Sequence, residues 1–293
     1  MERLTKRTKG DLVLDTAVYF FLILLGVIML LPLINVLSKA VSAEWAITSG
    51  KVGILPVGFQ LDTMKEVISS STFIRAFGVS VGVTVVGTII SILMTALTAY
   101  PLSKRLPGIP FIMVLFIFTM LFSGGLIPNY LLMRQLHLIN NLWVLILPGM
   151  ISVFNLLVIK SYYESLPEAL EESARIDGAK TYTILFRIIL PLSMPVIATI
   201  ALFYAVGFWN DYFGPMIYIN DTALKTLQLY LQDVVMDASA ANAVNKSVDD
   251  LMNMSPEGIR AATVVASTVP ILFVYPFLQK YFIKGVLIGS VKG

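Results

Sequence analysis

Six apolar runs, each about as long as a bilayer is thick, constrain what this chain can fold into more than any other feature. Five contain no charged residue, at 76–100, 110–133, 142–159, 188–210 and 261–279, and the sixth, at 13–37, carries only Asp15. A helix needs roughly 17 to 25 apolar residues to cross a bilayer. Because backbone polar groups in hydrocarbon must be satisfied within the segment, runs of this length indicate helices. We therefore predict an all-α membrane protein with about six transmembrane helices.

The predicted spans are 13–37, 76–100, 110–133, 142–162, 188–214 and 259–281. The composition agrees, with 57% hydrophobic and 13% charged residues and a mean hydropathy of +0.83. Strands of a membrane barrel would be about ten residues long and would alternate, which these runs do not. One run alone could be a buried helix of a large soluble protein, but six in one chain argue against that. The first run is too long for a typical signal peptide and is kept as a span.

Lysine and arginine near the span ends predict the orientation, since they concentrate on the cytoplasmic side. They are dense in the amino-terminal tail, in the loop after the second span, in the segment 164–187 and at the carboxyl end: Arg3, Lys6, Arg7, Lys9, Lys104, Arg105, Arg175, Lys180, Arg187, Lys280, Lys284 and Lys292. Both termini and the segment 164–187 are therefore expected in the cytoplasm. The opposite side holds two longer segments, about 38–74 and 215–260, which are either folded caps or a docking surface for an extracytoplasmic partner.

The residue types that catalysis would need are scarce. The chain has no cysteine, which excludes disulfides and thiolate metal sites, and its single histidine, His137, cannot form an HExxH zinc pair. It also lacks the GxxxxGK[ST] pattern that cradles nucleotide phosphates. We predict that the chain is not an enzyme and holds no catalytic residue, metal or cofactor of its own. If its function needs ATP, another chain must supply it.

A short acidic segment, EALEESARIDG, interrupts the apolar sequence at 168–178. Ser165 and Glu168 have the spacing of a capping box, and Pro167 suits the first turn of a helix. Gly178 provides a stop, because glycine adopts left-handed backbone at little cost. The pattern predicts a helix of about three turns, from near Leu166 to Asp177.

The faces of this predicted helix suggest a protein partner. One side is small and mostly apolar, and consists of Ala169, Leu170, Ser173, Ala174 and Ile176. Glu171 and Arg175 lie four residues apart on a polar side. Small side chains allow another surface to approach closely. Three glutamates would face an anionic cytoplasmic leaflet unfavourably, so a protein explains the acidic residues better than lipid does.

The same segment resembles a motif of a known family. Glu172, Ser173 and Ala174, then Gly178 after three residues, then Ile188, Leu190 and Pro191 after nine more, resemble the EAA loop of permease subunits of bacterial binding-protein-dependent ABC importers. Ser173 replaces the usual alanine. FWNDYFGPMIYI at 208–219, KTLQLYL at 225–231 and YFIKGVLIGSVKG at 281–293 resemble the maltose-permease-like sugar branch, and FSGGLIPNYLL at 122–132 resembles its oligosaccharide subgroup.

The resemblance implies a type I ABC importer permease fold, with 1–293 as one transmembrane domain in the bacterial inner membrane. It implies half of a translocation pathway for a carbohydrate, an oligosaccharide that in some similar members contains uronates. It also implies a second homologous permease, two ABC ATPases that bind ATP and Mg, and an extracytoplasmic sugar-binding protein. The ATPase-coupling residues would be Glu168, Glu171, Glu172, Ser173, Ala174, Asp177 and Gly178. Pro191 and Pro195 would provide a compliant bend in the next span.

Polar and aromatic residues near the ends of spans are candidates for the substrate path, because aromatic faces pack on sugar C–H surfaces while amides and carboxylates bind hydroxyls. The main set is Tyr204, Trp209, Asn210, Asp211 and Tyr212, and a second set, after the expected break at Ser123–Gly125, is Asn129, Tyr130 and Gln135. The alternative for these residues is an interfacial aromatic belt, or contact with the sister subunit or the binding protein.

Two other function classes remain. A self-sufficient secondary transporter or channel should have membrane-embedded charges or paired broken helices in both halves, and the spans are nearly free of charge. A membrane-embedded enzyme should have a cluster of titratable residues at the membrane, and only Asp211 comes close.

Overall fold

A computed structural model describes residues 9–236 and 255–290, and every regular element within these ranges is helical. The prediction of an all-helical fold is therefore confirmed for the described chain. Arg3, Lys6, Arg7 and Lys292, on which part of the orientation argument depends, lie outside the described residues. The described residues divide into two compact units, one from within 1–70 and 234–268 and the other from within 71–233 and 269–293.

The first unit contains the long helix α1 (Lys9–Ala40) and two short helices, α2 (Glu44–Thr48) and α3 (Asp62–Ser69). Glu44 connects its parts. Its carboxylate accepts hydrogen bonds from the Thr63 hydroxyl at 2.6 Å and from the Ser255 amide at 2.7 Å. Together with a small core of Ala46, Ile47, Val52 and Val57, these bonds give most of the segment 38–70 a defined fold.

The second unit contains most of the remaining helices. In chain order they are α4 (Ser71–Leu102), α5 (Ile109–Leu121), α6 (Leu126–Gln135), α7 (Trp143–Ile146), α8 (Val153–Ser165), α9 (Ala169–Ile176), α10 (Thr181–Ile184), a π-helical turn (Leu185–Ile189), α11 (Leu190–Leu192), α12 (Met194–Asn210), α13 (Phe213–Tyr218), a 3₁₀ turn (Thr222–Leu224) and α14 (Leu227–Met236). The last helix, α15 (Pro256–Ser290), begins in the first unit and continues into the second.

Helix α4 is the axis of the second unit, because α8 and α12 both pack along it. Their buried core includes Ala99, Leu156, Ile159 and Ile200. Gly87 allows the closest approach, since a Cβ at this position would lie 2.8 Å from the Phe208 ring. This packing holds the carboxyl-terminal half of α12 against the middle of α4.

Within the part of the chain that the structure describes, two helices are long and apolar enough to cross a bilayer without a break, over Val13–Ala40 and Ser71–Leu102. Two further candidates are bent pairs. Within the predicted span 110–133 the chain breaks after α5, and α6 continues at 110°. Within 188–214 the helix that begins at Thr181 bends by 81° before α12. The expected break at Ser123–Gly125 and the bend near Pro191 and Pro195 are both confirmed.

The apolar run at 142–162 is not one continuous helix, contrary to the expectation for an apolar run of this length. It forms the single turn of α7, an irregular stretch at 147–152 that contains Pro148 and Gly149, and then α8. Proline removes a backbone donor and disfavours helix in the residue before it. The Ser152 hydroxyl then accepts the Asn155 amide at 3.5 Å and caps α8.

Candidate coupling helix and transport path

Helix α9 begins later than the sequence predicts. The expected capping box is absent, because the Ser165 hydroxyl donates instead to the Tyr162 carbonyl at 2.7 Å. Glu168 occupies the N-cap position with helical backbone and no side-chain capping bond. The amide of Leu170 bonds the Pro167 carbonyl at 3.2 Å, which makes a turn that leads into the helix. The predicted helix from near Leu166 is therefore too long at its start, and α9 covers only Ala169–Ile176.

The end of α9 agrees with the prediction. Gly178 has φ +80°, the left-handed conformation that glycine adopts most easily. Its amide donates to the Arg175 carbonyl at 3.0 Å, and the Ala179 amide donates to the Ala174 carbonyl at 2.9 Å. These two bonds form a Schellman motif, which satisfies the last carbonyls of the helix. Gly178 thus ends α9 and turns the chain toward α10.

The predicted apolar strip of α9 is divided between two faces. Ala174 is 8% exposed and packs in the core with Tyr100, Tyr163 and Ile184. Ile176 is 86% exposed, and Ala169, Leu170 and Ser173 are also exposed. The outer face of α9, which we define as Leu170, Glu172, Ser173, Ile176 and Asp177, is therefore open to another chain, whereas Ala174 faces this chain's own core.

Glu171 differs most from its predicted position. The sequence placed it on a polar side with Arg175, but its carboxyl group is only 14% exposed and turns toward the end of α4. There it accepts a hydrogen bond from the Lys104 ammonium group and another from the Tyr100 hydroxyl at 3.3 Å. Arg175 lies 3.9 Å away and is itself 62% exposed. Glu171 therefore binds its own subunit.

A cavity of about 400 Å³ adjoins this ion pair, between the end of α4 and α9. Both cations and acids line it, among them Lys104, Glu164, Glu168 and Glu172. Tyr163 also lines it, and burial raises the pKa of this phenol well above its usual range. Tyr163 therefore stays neutral, and Lys104 and Glu171 are the charged groups that join the two helices.

Tyr204 has a structural role in this chain, and its assignment to the substrate path stays a prediction. It is 6% exposed, and its hydroxyl lies 2.7 Å from the Thr95 hydroxyl. The same hydroxyl also accepts a hydrogen bond from the Ser152 backbone amide at 2.9 Å. The side chain thus joins α12, α4 and the start of α8, and its hydroxyl is already occupied by protein partners.

The other members of the main set lie where α12 ends. The side-chain amide of Asn210 donates a hydrogen bond to the Val206 carbonyl at 3.0 Å. The Asp211 carboxylate accepts a hydrogen bond from the Gly214 backbone amide at 3.1 Å. Asp211 thereby stabilises the turn between α12 and α13. Tyr212 is half exposed. Of these residues, the exposed Asn210 and Tyr212 are best placed to meet a solute.

Trp209 packs edge-on against Phe77, with ring centroids 6.0 Å apart. Both rings line a cavity of about 250 Å³ that includes Val81, Thr84 and Pro270. This lining is almost entirely apolar, so the hydroxyl groups of a sugar would find few partners in it. The geometry favours a packing role for Trp209 over contact with a carbohydrate.

One member of the second candidate set, Tyr130, takes part in an aromatic stack. Tyr130 on α6 stacks on Tyr218 at the end of α13, with centroids 6.2 Å apart and ring planes 8° apart. Asn140 links the loop after α6 to the segment at the end of α13. Its backbone amide donates to the Tyr218 carbonyl at 3.0 Å, and its side-chain oxygen accepts a hydrogen bond from the Asn220 backbone amide at 2.6 Å. Asn129 and Gln135 are exposed on α6.

Comparison with known proteins identifies the family. The family described as "Binding-protein-dependent transport system inner membrane component" matches residues 97–288. The chain belongs to this family of permeases. The resemblance inferred from the EAA-like motif is thereby confirmed.

Two similar relatives cover almost the whole permease. It is 47% identical over 291 residues to Protein LplC of Bacillus subtilis (strain 168), covering 98% of this chain and 97% of the relative. It is 41% identical over 280 residues to the polygalacturonan/rhamnogalacturonan transport system permease protein YtcP of the same strain. This match covers 95% of this chain and 98% of the relative.

A solved structure agrees with the fold of the permease. It is the crystal structure of a bacterial ABC transporter involved in the import of the acidic polysaccharide alginate, with a TM-score of 0.88 and 31% identity, covering 95% of this chain and 99% of that chain. The match supports the type I permease fold.

Sequence reasoning missed three residues of the permease that the structure shows to be important. Lys104 anchors Glu171, Asn140 links two loops, and Tyr218 stacks on Tyr130. The positive φ of Asn140, +57°, has a sequence signal, because asparagine tolerates left-handed backbone. Lys104 has none, since it lies 67 residues from its partner.

Proposed function

We propose that this permease is the transmembrane subunit of an ATP-driven importer of oligosaccharides, uronate-containing ones in particular. It forms half of the translocation pathway and pairs with a second, homologous permease. Two ABC ATPase subunits bind ATP and Mg on the cytoplasmic side, and an extracytoplasmic binding protein delivers the sugar. The proposal includes six spans with both termini and α9 in the cytoplasm.

The outer face of α9 carries the proposal. It presents Glu172, Ser173 and Asp177 to solvent, and the Schellman motif at Gly178 holds its end. A short capped helix with an open face is suited to seating in a cleft of another protein. Because a helix moves as a rigid body, closure of the two ATPases would be passed to the permease through α9. Alternating access then requires only that nucleotide and sugar bind the two conformations with different affinity.

The proposal of an acidic substrate is supported by the names of similar proteins and by the position of one arginine in this chain. One relative is named for polygalacturonan and rhamnogalacturonan transport, and one similar structure comes from an alginate importer. In this chain, Arg134 is exposed and lies one turn beyond Tyr130 on α6, so both project from the same side of that helix. An arginine beside an aromatic stack suits a uronate, because guanidinium binds carboxylate while the ring packs on the sugar face.

The test is transport by the assembled complex in proteoliposomes. The permease is co-expressed with the proposed sister permease and ATPases, purified with them and supplied with the binding protein. Uptake of galacturonate oligosaccharides is then compared with uptake of neutral galactose oligosaccharides of equal length. ATP is placed inside the vesicles, where it reaches the ATPases that face the lumen. We expect uptake of the acidic sugar that depends on ATP, Mg and binding protein. Uptake by the permease alone would refute the proposal and favour a secondary transporter.

Arg134→Gln tests the acidic preference within the same assay. It should lower uptake of the galacturonate oligosaccharide by about tenfold, as expected for loss of one charge-assisted contact worth about 1.5 kcal/mol. Arg75→Gln is the matched control, because Arg75 is an exposed arginine at the start of α4. Equal effects of the two substitutions would show that Arg134 has no particular role in binding the sugar.

A further inference from the structure

We propose that Glu171 is a positioning residue that fastens α9 to the end of α4. We further propose that this non-covalent link, and not the covalent connection through α10 and α11, carries the movement of α9 into the spans. The inference rests on the proposed function, in which α9 seats in the ATPase. It assigns to Glu171 a partner within its own subunit.

Apart from the exposed Arg175 on its own helix, the polar contacts of Glu171 lie at the end of α4. One carboxylate oxygen accepts from Lys104, and the other lies 3.3 Å from the Tyr100 hydroxyl. The Lys104 ammonium also lies 4.5 Å from the centroid of the Tyr100 ring, which adds a cation–π contact. Tyr100 in turn packs edge-on against Tyr163, with centroids 6.3 Å apart. Lys104, Tyr100 and Glu171 therefore form a single cluster, which we call the clamp.

The clamp is sheltered enough to be strong. The side chains of Glu171 and Lys104 are 14% and 27% exposed, so water screens their attraction less than it does for a surface pair. Ala174 lies one turn from Glu171, is buried in the same core as Tyr100 and Tyr163, and has no side chain long enough to push the helices apart. Apolar packing and the ion pair thus hold the same face of α9.

The covalent route from α9 to α12 is poorly suited to transmit a push. It passes through a π-helical turn at Leu185–Ile189, reaches Pro191 and then bends by 81° at Ser193. Breaks of this kind absorb movement, because the helical hydrogen-bond ladder is interrupted there. A displacement of α9 along this path would be taken up by the bend.

The route through the clamp is continuous. Helix α4 runs from Ser71 to Leu102 with Pro101 in its last turn, and Lys104 follows within two residues of its end. The backbone donor that Pro101 lacks lies at this end, so the helix from Ser71 to Tyr100 contains no proline. Farther along α4, the Thr95 hydroxyl bonds Tyr204 of α12 at 2.7 Å, and Gly87 lies against Phe208. Movement that enters at the clamp therefore passes along one rigid helix and reaches α12 beyond its bend.

The experiment compares transport per ATP hydrolysed in the full complex with binding protein present. Glu171→Gln and Lys104→Met should each lower this ratio by at least about fivefold, the lower end of typical coupling between sites, while the ATPases still co-purify and hydrolyse ATP. The double variant Glu171→Lys with Lys104→Glu should recover most of the ratio, because it restores the ion pair. Arg175→Gln is the matched control, since its guanidinium lies 3.9 Å from Glu171 and is mostly exposed.

A cross-link tests whether the clamp stays closed throughout the cycle. The chain has no cysteine, so Lys104→Cys with Glu171→Cys can be joined by a cleavable thiol cross-linker of matching length. We expect the cross-linked protein to transport sugar. After reductive cleavage of the cross-linker, the same protein should hydrolyse ATP with little transport. Loss of transport on joining would overturn the proposal, because it would show that α9 must separate from α4.

Other results also decide between the proposals. A wild-type ratio in Glu171→Gln would overturn the clamp, and so would loss of the ATPases from this variant, which would make Glu171 a contact to the ATPase. A double variant no better than the single ones would overturn it as well. If instead the wild-type complex moves no sugar, the proposed function fails, and the clamp is not the cause.

Discussion

Tyr204→Phe removes a single oxygen atom, and the structure lets its cost be worked out. The hydroxyl bonds Thr95 on α4 and accepts the Ser152 amide at the start of α8. A side-chain hydrogen bond between membrane helices contributes about 0.6 kcal/mol on average. A buried amide left without an acceptor costs about 1–3 kcal/mol. Because the Ser152 amide is only partly buried, the lower part of this range applies, and the substitution should lower the free energy of unfolding by about 2 kcal/mol, or roughly 30-fold in the folded-to-unfolded ratio.

The assay is reversible denaturant unfolding of the purified permease in mixed micelles, followed by circular dichroism. Tyr212→Phe makes the same chemical change at a half-exposed tyrosine and serves as the control. We expect it to unfold like the wild type, whereas Tyr204→Phe unfolds at a lower denaturant concentration. The reasoning would be refuted if both variants unfolded together. It would also be refuted if Tyr204→Phe kept its stability and changed which sugars are carried, because the hydroxyl would then belong to the substrate path.

Three further substitutions test the coupling helix and the helix packing. Gly178→Pro should abolish transport, because proline cannot adopt φ +80°, while the binding protein's affinity for sugar, measured by titration, stays unchanged. Ala174→Leu should also abolish transport in vesicles, because the buried site has no room for a larger side chain. Gly87→Leu should destabilise the permease by about 1–3 kcal/mol in denaturant, since even a Cβ would lie 2.8 Å from Phe208, whereas Gly82→Leu, with nothing within 4 Å of a Cβ, should not.

Much of the fold could be predicted because its signals are local. Apolar runs without charge predicted helices, and the broken spans had glycine or proline at their breaks. Gly178 was predicted to end α9, and its positive φ confirms this. Each of these features depends on backbone chemistry within a few residues, which a sequence displays directly. The capping box at Ser165 failed for an equally local reason, since a serine hydroxyl can bond a preceding carbonyl instead of a following amide.

The candidate site was harder to predict because its contacts join distant parts of the chain. Glu171 was predicted to lie on a polar side with Arg175, and it also meets Lys104, 67 residues earlier. Tyr204 resembles a sugar-binding residue in sequence, but its partner Thr95 lies 109 residues away. Helical periodicity divides a helix into faces, but it does not say which neighbour each face will meet. Residue type alone therefore selected plausible side chains without separating exposed ones from structural ones.

The break between α5 and α6 has a consequence for how the protein is made. Helix α5 has 13 residues and is only about 20 Å long, which is less than the roughly 30 Å of a bilayer's hydrocarbon core. Newly made, the uncharged run 110–133 is long enough to enter the membrane as one straight helix. The turn at 122–125 would then form afterwards, when neighbouring helices can satisfy its backbone groups. Insertion and breaking of this segment would thus be two separate steps, the first set by hydropathy and the second by packing.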